Sequence, residues 1–245
     1  MVWFRSFVFN ILFYAWGLFC TSVFLPVLIL PRPYVLWVTK LWIRGVIWIC
    51  ENVLKLHVNI IGLEKLPDTP LILAAKHQSA WETLIFHHFF ADPSIVLKQE
   101  LLWIPLFGWY LKKLRSIPLS RSKEGGAKDL KILLKKAEQV VAQGQPILIF
   151  PEGTRSHPEQ KGTYHSGVAR LYRHLKIPVI PIAHNAGLFW PRRGFVKYPG
   201  CITIKFLDPI EPGLSRQEFM RVLEDTIESE TNILVREGMA YAAKS

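Results

Sequence analysis

The apolar run Leu71-Ile72-Leu73-Ala74-Ala75 leads directly into a polar segment that reads Lys76-His77-Gln78-Ser79-Ala80-Trp81-Glu82. A second apolar run, residues 147–150, leads in the same way into Pro151-Glu152-Gly153-Thr154-Arg155. Short apolar runs bounded by polar or turn-forming residues are typical of buried strands. In open α/β sheets ligands bind beyond the carboxyl ends of the strands. Both polar segments are therefore candidate parts of a functional site.

Strand-like runs alternate with helical patterns along the chain beyond residue 60. Residues 95–97, 179–183 and 202–206 have the character of strands, whereas apolar residues recur with helical spacing over residues 130–141. Residues 216–236 have the pattern of a closing helix. This alternation predicts an α/β domain over residues 56–245, with a parallel or mixed sheet flanked by helices.

Residues 1–55 differ from the rest of the chain. No charged side chain occurs from Ser6 through Pro31, a run longer than the roughly 20 residues that a helix needs to cross a membrane. Pro26 is expected to kink this helix or to end it. The run exceeds the apolar region of a signal peptide, about 7–15 residues, and no A-x-A-like cleavage site follows it. We therefore predict a retained, membrane-associated helical segment over residues 1–55.

The next apolar block, residues 34–50, carries Lys40 and Arg44 on one helical face. Tryptophan and aliphatic residues around the other faces suit a helix in the membrane interface, with its cations reaching lipid phosphates. A second membrane crossing and a helix that covers a soluble core are the alternatives. More basic residues follow the first apolar run than precede it, which predicts that the body of the protein faces the cytoplasm.

The composition limits the class of protein. The chain has 245 residues and a net charge of +11, half of its residues are hydrophobic and 20% are charged, and its mean hydropathy is +0.21. These values argue against disorder. The three cysteines are far apart and form no CxxC pair, which argues against a disulfide framework or a zinc knuckle. A basic chain suits an anionic partner, but no RRM, KH or helix-turn-helix signature indicates nucleic acid.

His77 and Glu82 are the first candidates for chemistry. Five positions place two side chains about 140° apart on a regular helix. They can meet only if His77 lies in the strand-to-helix loop and Glu82 in the first helical turn, where a carboxylate is favoured. A carboxylate on one ring nitrogen fixes the tautomer and raises the basicity of the imidazole, so His77 would be a general base. A structural histidine is the alternative, because this spacing is common by chance.

The segment after the second run is a candidate anion site. Gly153 permits close approach of the backbone, and Thr154 and Arg155 offer hydroxyl and guanidinium donors. Arginine can bind phosphate with two parallel hydrogen bonds. An ordinary polar turn after a strand is the alternative interpretation.

Together the two segments resemble the glycerolipid acyltransferase family, which carries His-x4-Asp and Phe-Pro-Glu-Gly-Thr motifs. Residues 150–154 contain the second motif without change. Residues 98–109, 117–121 and 180–182 resemble further blocks of the family in the same order. The resemblance extends over about residues 60–210, and several ordered blocks are far more specific than any single motif.

The resemblance implies a mixed α/β sheet and the transfer of an acyl chain from coenzyme A or acyl carrier protein to the sn-2 hydroxyl of 1-acylglycerol 3-phosphate. No resident cofactor or metal is implied, and membrane phospholipids would be partners. His77 would take the hydroxyl proton, and Glu82 would orient His77. Arg121 and the Glu152–Thr154 block would bind the acceptor phosphate, and the charge of Arg155 adds it to this set. Since a carboxylate cannot bind phosphate, we expect Glu152 to order the loop or to contact a hydroxyl.

Three features depart from the family pattern. Glu82 replaces the usual aspartate, Lys76 stands where asparagine is common, and residues 164–167 read Tyr-His-Ser-Gly in place of Phe-Lys-x-Gly. Because of Lys76 and His165, another lysolipid, either amino-acid-containing or a lysophospholipid, is an alternative acceptor. A membrane protein that binds lipid without catalysis is an alternative outside the enzymes.

Two other chemistries are less favoured. A covalent route through Ser79 would need a base at hydrogen-bond distance, and nothing around this serine resembles a nucleophile elbow. A metal site that uses His77 with His87 or His88 lacks the spacing of an HExxH motif.

Overall fold

The computed structural model describes residues 1–68, 70–119 and 126–242. Over these residues the chain forms seven strands and eight α-helices. The strands are β1 (Leu56–Ile61), β2 (Ile72–Ala75), β3 (Ser94–Lys98), β4 (Ile117–Leu119), β5 (Ile147–Ile149), β6 (Val179–His184) and β7 (Gly200–Phe206). The helices are α1 (Val2–Val23), α2 (Arg32–Ile49), α3 (Trp81–Phe89), α4 (Phe107–Lys113), α5 (Gly126–Val141), α6 (Gly167–Leu175), α7 (Ala186–Phe189) and α8 (Arg216–Ala242).

The strands form one mixed sheet in the order β1-β7-β6-β2-β5-β3-β4. Every neighbouring pair is parallel except β6 and β7. The predicted mixed sheet flanked by helices is confirmed. Because β2 and β5 are parallel neighbours, their carboxyl ends meet at the same edge of the sheet. The two polar segments that follow these strands are therefore brought together.

Apolar side chains cover both faces of the sheet. Alternate residues of β2 point to opposite faces, so Leu73 and Ala75 join a cluster with α1, α2, α3 and α7. Ile72 and Ala74 join a second cluster with α5, α6 and α8. All residues of β2 and β6 are buried. This double cover explains why the central strands are continuous apolar runs rather than alternating patterns.

The sheet is wider than the sequence predicted. The five predicted strands are present, and β1 and β4 are added at its two edges. The β4 strand contains Pro118, which cannot donate a ladder hydrogen bond and is tolerated because β4 pairs with β3 alone. The helices predicted at residues 130–141 and 216–236 are present as α5 and α8, each longer than predicted.

The first helix is apolar on most of its surface. Among the described residues, α1 is the helix whose length and composition would allow it to cross a membrane, and only 17% of its most apolar stretch is buried. It ends at Val23, before Pro26, and a short 3₁₀ turn follows. The predicted break at Pro26 is confirmed. Helix α2 buries one face on the domain and exposes Trp37 and Trp48.

Candidate active site

His77 and Glu82 are in contact at the end of β2. His77 lies in the loop between β2 and α3, and Glu82 lies in the first turn of α3. The Nδ1 atom of His77 is 2.8 Å from Oε1 of Glu82. The two residues therefore occupy the loop and the first helical turn, the only positions from which this spacing allows them to meet. A carboxylate can only accept, so Nδ1 carries the hydrogen and the lone pair lies on Nε2.

Glu82 is anchored by the backbone around it. Its carboxylate accepts the N–H groups of Gln78, at 2.8 Å, and Ser79, at 2.7 Å. The Ser79 hydroxyl accepts the N–H of Trp81, the first residue of α3, at 3.1 Å. Such fixed donors hold the carboxylate at a single position beside the imidazole.

The pKa of Glu82 is below its ordinary value, so the carboxylate is charged at neutral pH. Complete burial on its own would raise this pKa. The hydrogen bond from His77, the electrostatic effect of His184 and His77, and the Ser79 N–H outweigh burial and lower it. A charged Glu82 stabilises the protonated form of His77, as a general base requires.

Glu152 joins the two polar segments behind the site. The side chain is 1% exposed, and its Oε2 accepts the backbone N–H of His77 at 2.7 Å. Its Oε1 accepts from Lys76 Nζ at 2.9 Å. A Cβ atom at position 162 would overlap this carboxylate, which explains glycine there. Both oxygens thus order the loops, which is the first of the two roles expected for Glu152.

Lys76 is the centre of a buried charge network. Its side chain is fully buried, and Nζ donates to Glu152 and, at 2.7 Å, to Oε1 of Glu228 on α8. The Tyr164 hydroxyl donates to the same Glu228 oxygen at 2.9 Å, and burial together with the charge of Glu228 raises the pKa of Tyr164. Lys76 does not line the cavity beside His77. Its departure from the family pattern therefore concerns the scaffold, not the acceptor head group.

The fully buried His184 contacts the backbone of the loop that carries His77. His184 ends β6, and its Nε2 donates to the carbonyl of Lys76 at 2.8 Å. Its Nδ1 accepts from the N–H of Ala186 at 3.3 Å. Burial lowers the pKa of His184 despite the opposing charge of Glu82, so the ring is neutral and uses one donor and one acceptor.

Three of the remaining predicted residues lie at the same edge of the sheet. Gly153, Thr154 and Arg155 line the cavity beside His77. The N–H of Ser156 donates to the carbonyl of His77 at 2.8 Å, which joins this loop directly to the histidine. Gly153 has a φ of 58°, a conformation that favours glycine. Arg121 lies outside the described residues.

Comparisons with known proteins assign the family. A family model described as acyltransferase matches residues 57–185, which is more than half of the chain and includes His77, Glu82 and Glu152. The chain belongs to the acyltransferase family. It is 41% identical over 192 residues to the 1-acyl-sn-glycerol-3-phosphate acyltransferase of Pseudomonas aeruginosa, covering 78% of this chain and 73% of that protein.

A second relative and a solved structure are also similar to this chain. The enzyme of the same name from Saccharomyces cerevisiae is 30% identical over 184 residues, and the match spans 71% of this chain but only 57% of the yeast protein. The crystal structure of the 1-acyl-sn-glycerophosphate acyltransferase PlsC from Thermotoga maritima has the same fold, with a TM-score of 0.77. The two chains are 22% identical, and the superposition covers 96% of this chain and 98% of the other.

The acyltransferase has a large cavity, and His77 is among the residues that line it. Its volume is about 1410 Å³. Apolar side chains of α1, α2, α3, β3 and α4 line it, among them Phe13, Leu18, Val38, Trp42, Leu84, Ile95 and Leu111. Basic side chains, here called the cationic mouth, also line it, namely Lys98, Arg155, Arg170, Arg192 and Arg193. The lining thus combines apolar side chains and cations with one histidine.

Several residues of this site were not predicted. Arg192 and Arg193 form a conspicuous basic pair after an aromatic run. The sequence marks Lys76 as a departure from the family pattern but does not predict its buried ion pairs. Nothing local indicates Glu228, because its partner lies 152 positions away in the chain.

The buried histidines should make the free energy of unfolding depend on pH. Burial lowers the pKa of His87 to about 4, although Asp92 opposes it, and Arg32 and Lys40 lower it further. His184 is also held neutral. Between about pH 4 and 6.5 the unfolded chain binds more protons than the folded one, so the free energy of unfolding should rise with pH by about 3 kcal/mol for His87.

Urea unfolding at several pH values would measure this rise. A His87→Gln variant should show a smaller slope than the parent, since it lacks one of the two groups. An unchanged slope in that variant would contradict the assignment of His87 as a buried neutral histidine.

Proposed function

We propose that this acyltransferase moves a fatty acyl group from an acyl thioester to the sn-2 hydroxyl of 1-acylglycerol 3-phosphate, which forms phosphatidate for phospholipid synthesis. The observation that carries the proposal is the His77–Glu82 pair beside a cavity that both apolar side chains and cations line. The names of the relatives from Pseudomonas and yeast specify the same acceptor for those proteins. The donor is acyl-coenzyme A or acyl carrier protein, and no resident cofactor takes part.

His77 acts as the general base. The acceptor hydroxyl oxygen attacks the thioester carbonyl carbon while its proton passes to Nε2 of His77, and the C–S bond then breaks. The imidazolium returns the proton to the leaving thiolate sulfur, so His77 ends the cycle neutral. Glu82 holds the tautomer and stabilises the imidazolium through its 2.8 Å contact with Nδ1. General-base catalysis of this kind accelerates reactions by about 10²–10⁴.

The apolar lining of the cavity suits an acyl chain, and its cations suit a phosphate group. Apolar side chains of α1, α2 and α4 remove an acyl chain from water, which favours binding by about 0.8 kcal/mol per buried methylene. The cationic mouth suits a phosphate. Of its members, Arg155 lies next to Ser156, whose N–H donates to the carbonyl of His77. Arg121 is proposed as a further phosphate ligand.

Membrane attachment belongs to the same proposal. Large apolar side chains of α1 are exposed, among them Trp3, Phe4, Tyr14 and Leu18, each more than 60% accessible. Exposed apolar surface of this extent marks a site of interaction with membrane or protein. Arg32, Lys40 and Arg44 follow the first helix, so we place the catalytic domain on the cytoplasmic side.

Acceptor and donor panels test the proposal. The protein in phospholipid vesicles would be incubated with 1-acylglycerol 3-phosphate, 1-acylglycerophosphocholine and 1-monoacylglycerol, each with acyl-coenzyme A and with acyl carrier protein. We expect phosphatidate to be the main product. Equal rates with monoacylglycerol would contradict recognition of the phosphate, and transfer to another lysolipid alone would assign a different acceptor.

Replacing Arg155 should weaken acceptor binding. A charge-assisted hydrogen bond contributes about 1.5–3 kcal/mol, so Arg155→Gln should raise KM for 1-acylglycerol 3-phosphate by about 10- to 100-fold. KM for 1-monoacylglycerol should hardly change, because that acceptor has no phosphate. Arg173→Gln is the matched control, since Arg173 is exposed near the end of α6 and does not line the cavity. An equal effect on both acceptors would exclude phosphate binding by Arg155.

A further inference from the structure

The loop of residues 191–196, here called the arginine loop, forms part of the cavity mouth. Arg192 and Arg193 both line the cavity that contains His77. The Nη1 atom of Arg192 donates to the carbonyl of Arg155 at 2.6 Å. The arginine loop is thus braced against the loop that we propose binds the acceptor phosphate. Any displacement of one loop will move cations that face the substrate.

The far side of the arginine loop is held by helix α1. The Ser6 hydroxyl accepts the backbone N–H of Lys197 at 2.9 Å and lies 3.1 Å from the Lys197 carbonyl. Asn10 Nδ2 donates to the carbonyl of Phe195 at 3.2 Å. Asn10 Oδ1 accepts from Lys197 Nζ at 3.1 Å. We call these three side chains, Ser6, Asn10 and Lys197, the helix–loop contact.

Lys197 ties the contact to the backbone of the arginine loop. Its Nζ donates to the carbonyls of Gly194, at 2.9 Å, and Phe195, at 3.0 Å. The same atom lies 5.8 Å from the ring centroid of Phe9 and 5.7 Å from that of Trp190, within the range of cation–π attraction. Lys197 is 5% exposed, and within the described part of the chain it forms no ion pair with an acid. A buried ammonium compensated only in this way is a specific arrangement, not a solvated surface charge.

Ser6 and Asn10 are polar residues in a largely apolar helix, and both contact the segment of residues 195–197. Ser6 and Asn10 are one turn apart and so share one helical face. Ser6 is fully buried against the loop, and aromatic contacts continue on the same side, with Trp3 5.3 Å from Phe195 and Phe9 5.0 Å from Trp190. A helix that served only as an anchor would need no such polar pair.

We propose that the helix–loop contact makes α1 a positioning element of the active site, in which Ser6, Asn10 and Lys197 hold Arg192 and Arg193 against the substrate-binding mouth. Seating of α1 and binding of the anionic substrate are then coupled through one loop. The substrate part of this statement rests on the proposed function. The position of the loop does not.

Lys197→Met tests the proposal in the full chain, reconstituted in phospholipid vesicles. Methionine retains the apolar stem between Phe9 and Trp190 but loses the hydrogen bonds to the loop carbonyls. We expect KM for 1-acylglycerol 3-phosphate to rise about tenfold, with kcat within about twofold of the parent because the His77–Glu82 pair is untouched. Lys197→Arg, which keeps a cationic donor, should restore most of the affinity.

Trypsin digestion supplies a readout that does not depend on catalysis. Arg192 and Arg193 are exposed and neither is followed by proline, so both are potential cleavage sites. Release of the loop should accelerate cleavage at these two positions by at least about tenfold in Lys197→Met, and to a smaller extent in Ser6→Ala, which removes one contact from the helix side. Ser22→Ala is the matched control, because Ser22 is an exposed serine of the same helix.

The possible outcomes distinguish failure of this proposal from failure of the proposed function. Unchanged cleavage and unchanged KM in both Lys197→Met and Ser6→Ala would overturn it. A parallel loss of kcat and of folded protein in both variants would also overturn it, since it would show a purely structural role. If the parent transfers no acyl group to any acceptor, the proposed function fails, and faster cleavage in the variants would still support the helix–loop contact.

Discussion

His77→Ala should abolish measurable acyl transfer while leaving the fold intact. The substitution removes the base that takes the hydroxyl proton, which is worth about 10²–10⁴ in rate, and the group that protonates the leaving thiolate. The fold should persist because the backbone N–H of His77 still donates to Glu152 and the Glu82 carboxylate keeps its backbone donors. Initial rates of phosphatidate formation, together with circular dichroism of the same sample, would measure both effects.

The matched control is His174→Ala. His174 also contacts a glutamate, Glu138, at 2.6 Å, but on the protein surface. Its loss should leave kcat within about twofold, because surface pairs contribute little. Substantial turnover by His77→Ala would exclude the general-base role. An acyl-enzyme trapped on Ser79 would replace it with the covalent route.

Lys76→Met should destabilise the protein by about 3–5 kcal/mol, because removal of one partner from a buried ion pair leaves its counter-charges uncompensated. Two carboxylates, those of Glu152 and Glu228, now share the Lys76 ammonium at 2.9 and 2.7 Å. Without it they would face each other in the protein interior. For a chain of this length the expected fall in Tm is about 6–20 °C.

Thermal unfolding of Lys161→Met is the control for this prediction. Lys161 also pairs with a glutamate of α8, Glu224, but its side chain is 59% exposed. Loss of an exposed pair should lower Tm far less than loss of the buried one, because solvent screens its charges. Equal shifts in the two variants would show that burial of the Lys76 network does not matter. Activity lost from Lys76→Met at a temperature where it remains folded would instead indicate that Glu152 has moved the backbone of His77.

The strands that the sequence predicted correctly are those in the middle of the sheet. Strands β2 and β6 are covered by helices on both faces, so their sequences are uninterrupted apolar runs that need no knowledge of neighbours. The edge strands β1 and β4 were not predicted, for different reasons. Most residues of β1 are exposed or only partly buried, and β4 is three residues long with a central proline. Only pairing with β7 and β3 defines them.

The site divides in the same way. The contact between His77 and Glu82 follows from a strand-to-helix loop and the first helical turn, which are local features. The partners of Glu152 do not follow, since the sequence predicts a residue that orders the loop but does not indicate that its carboxylate contacts Lys76 and the His77 backbone. Its burial is decided by the parallel pairing of β2 with β5.

By itself the sequence determined the α/β class, the apolar N-terminal helix, the two polar segments after β2 and β5, and the family that they resemble. Each depends on periodicity or on residues close together in the chain. The tertiary structure alone decided that Lys76 is neutralised by Glu228 and that Ser6 and Asn10 hold the arginine loop, contacts that join residues 152 and more than 180 positions apart. Local pattern carries no information about such pairs, because their partners are chosen by how the helices pack on the sheet.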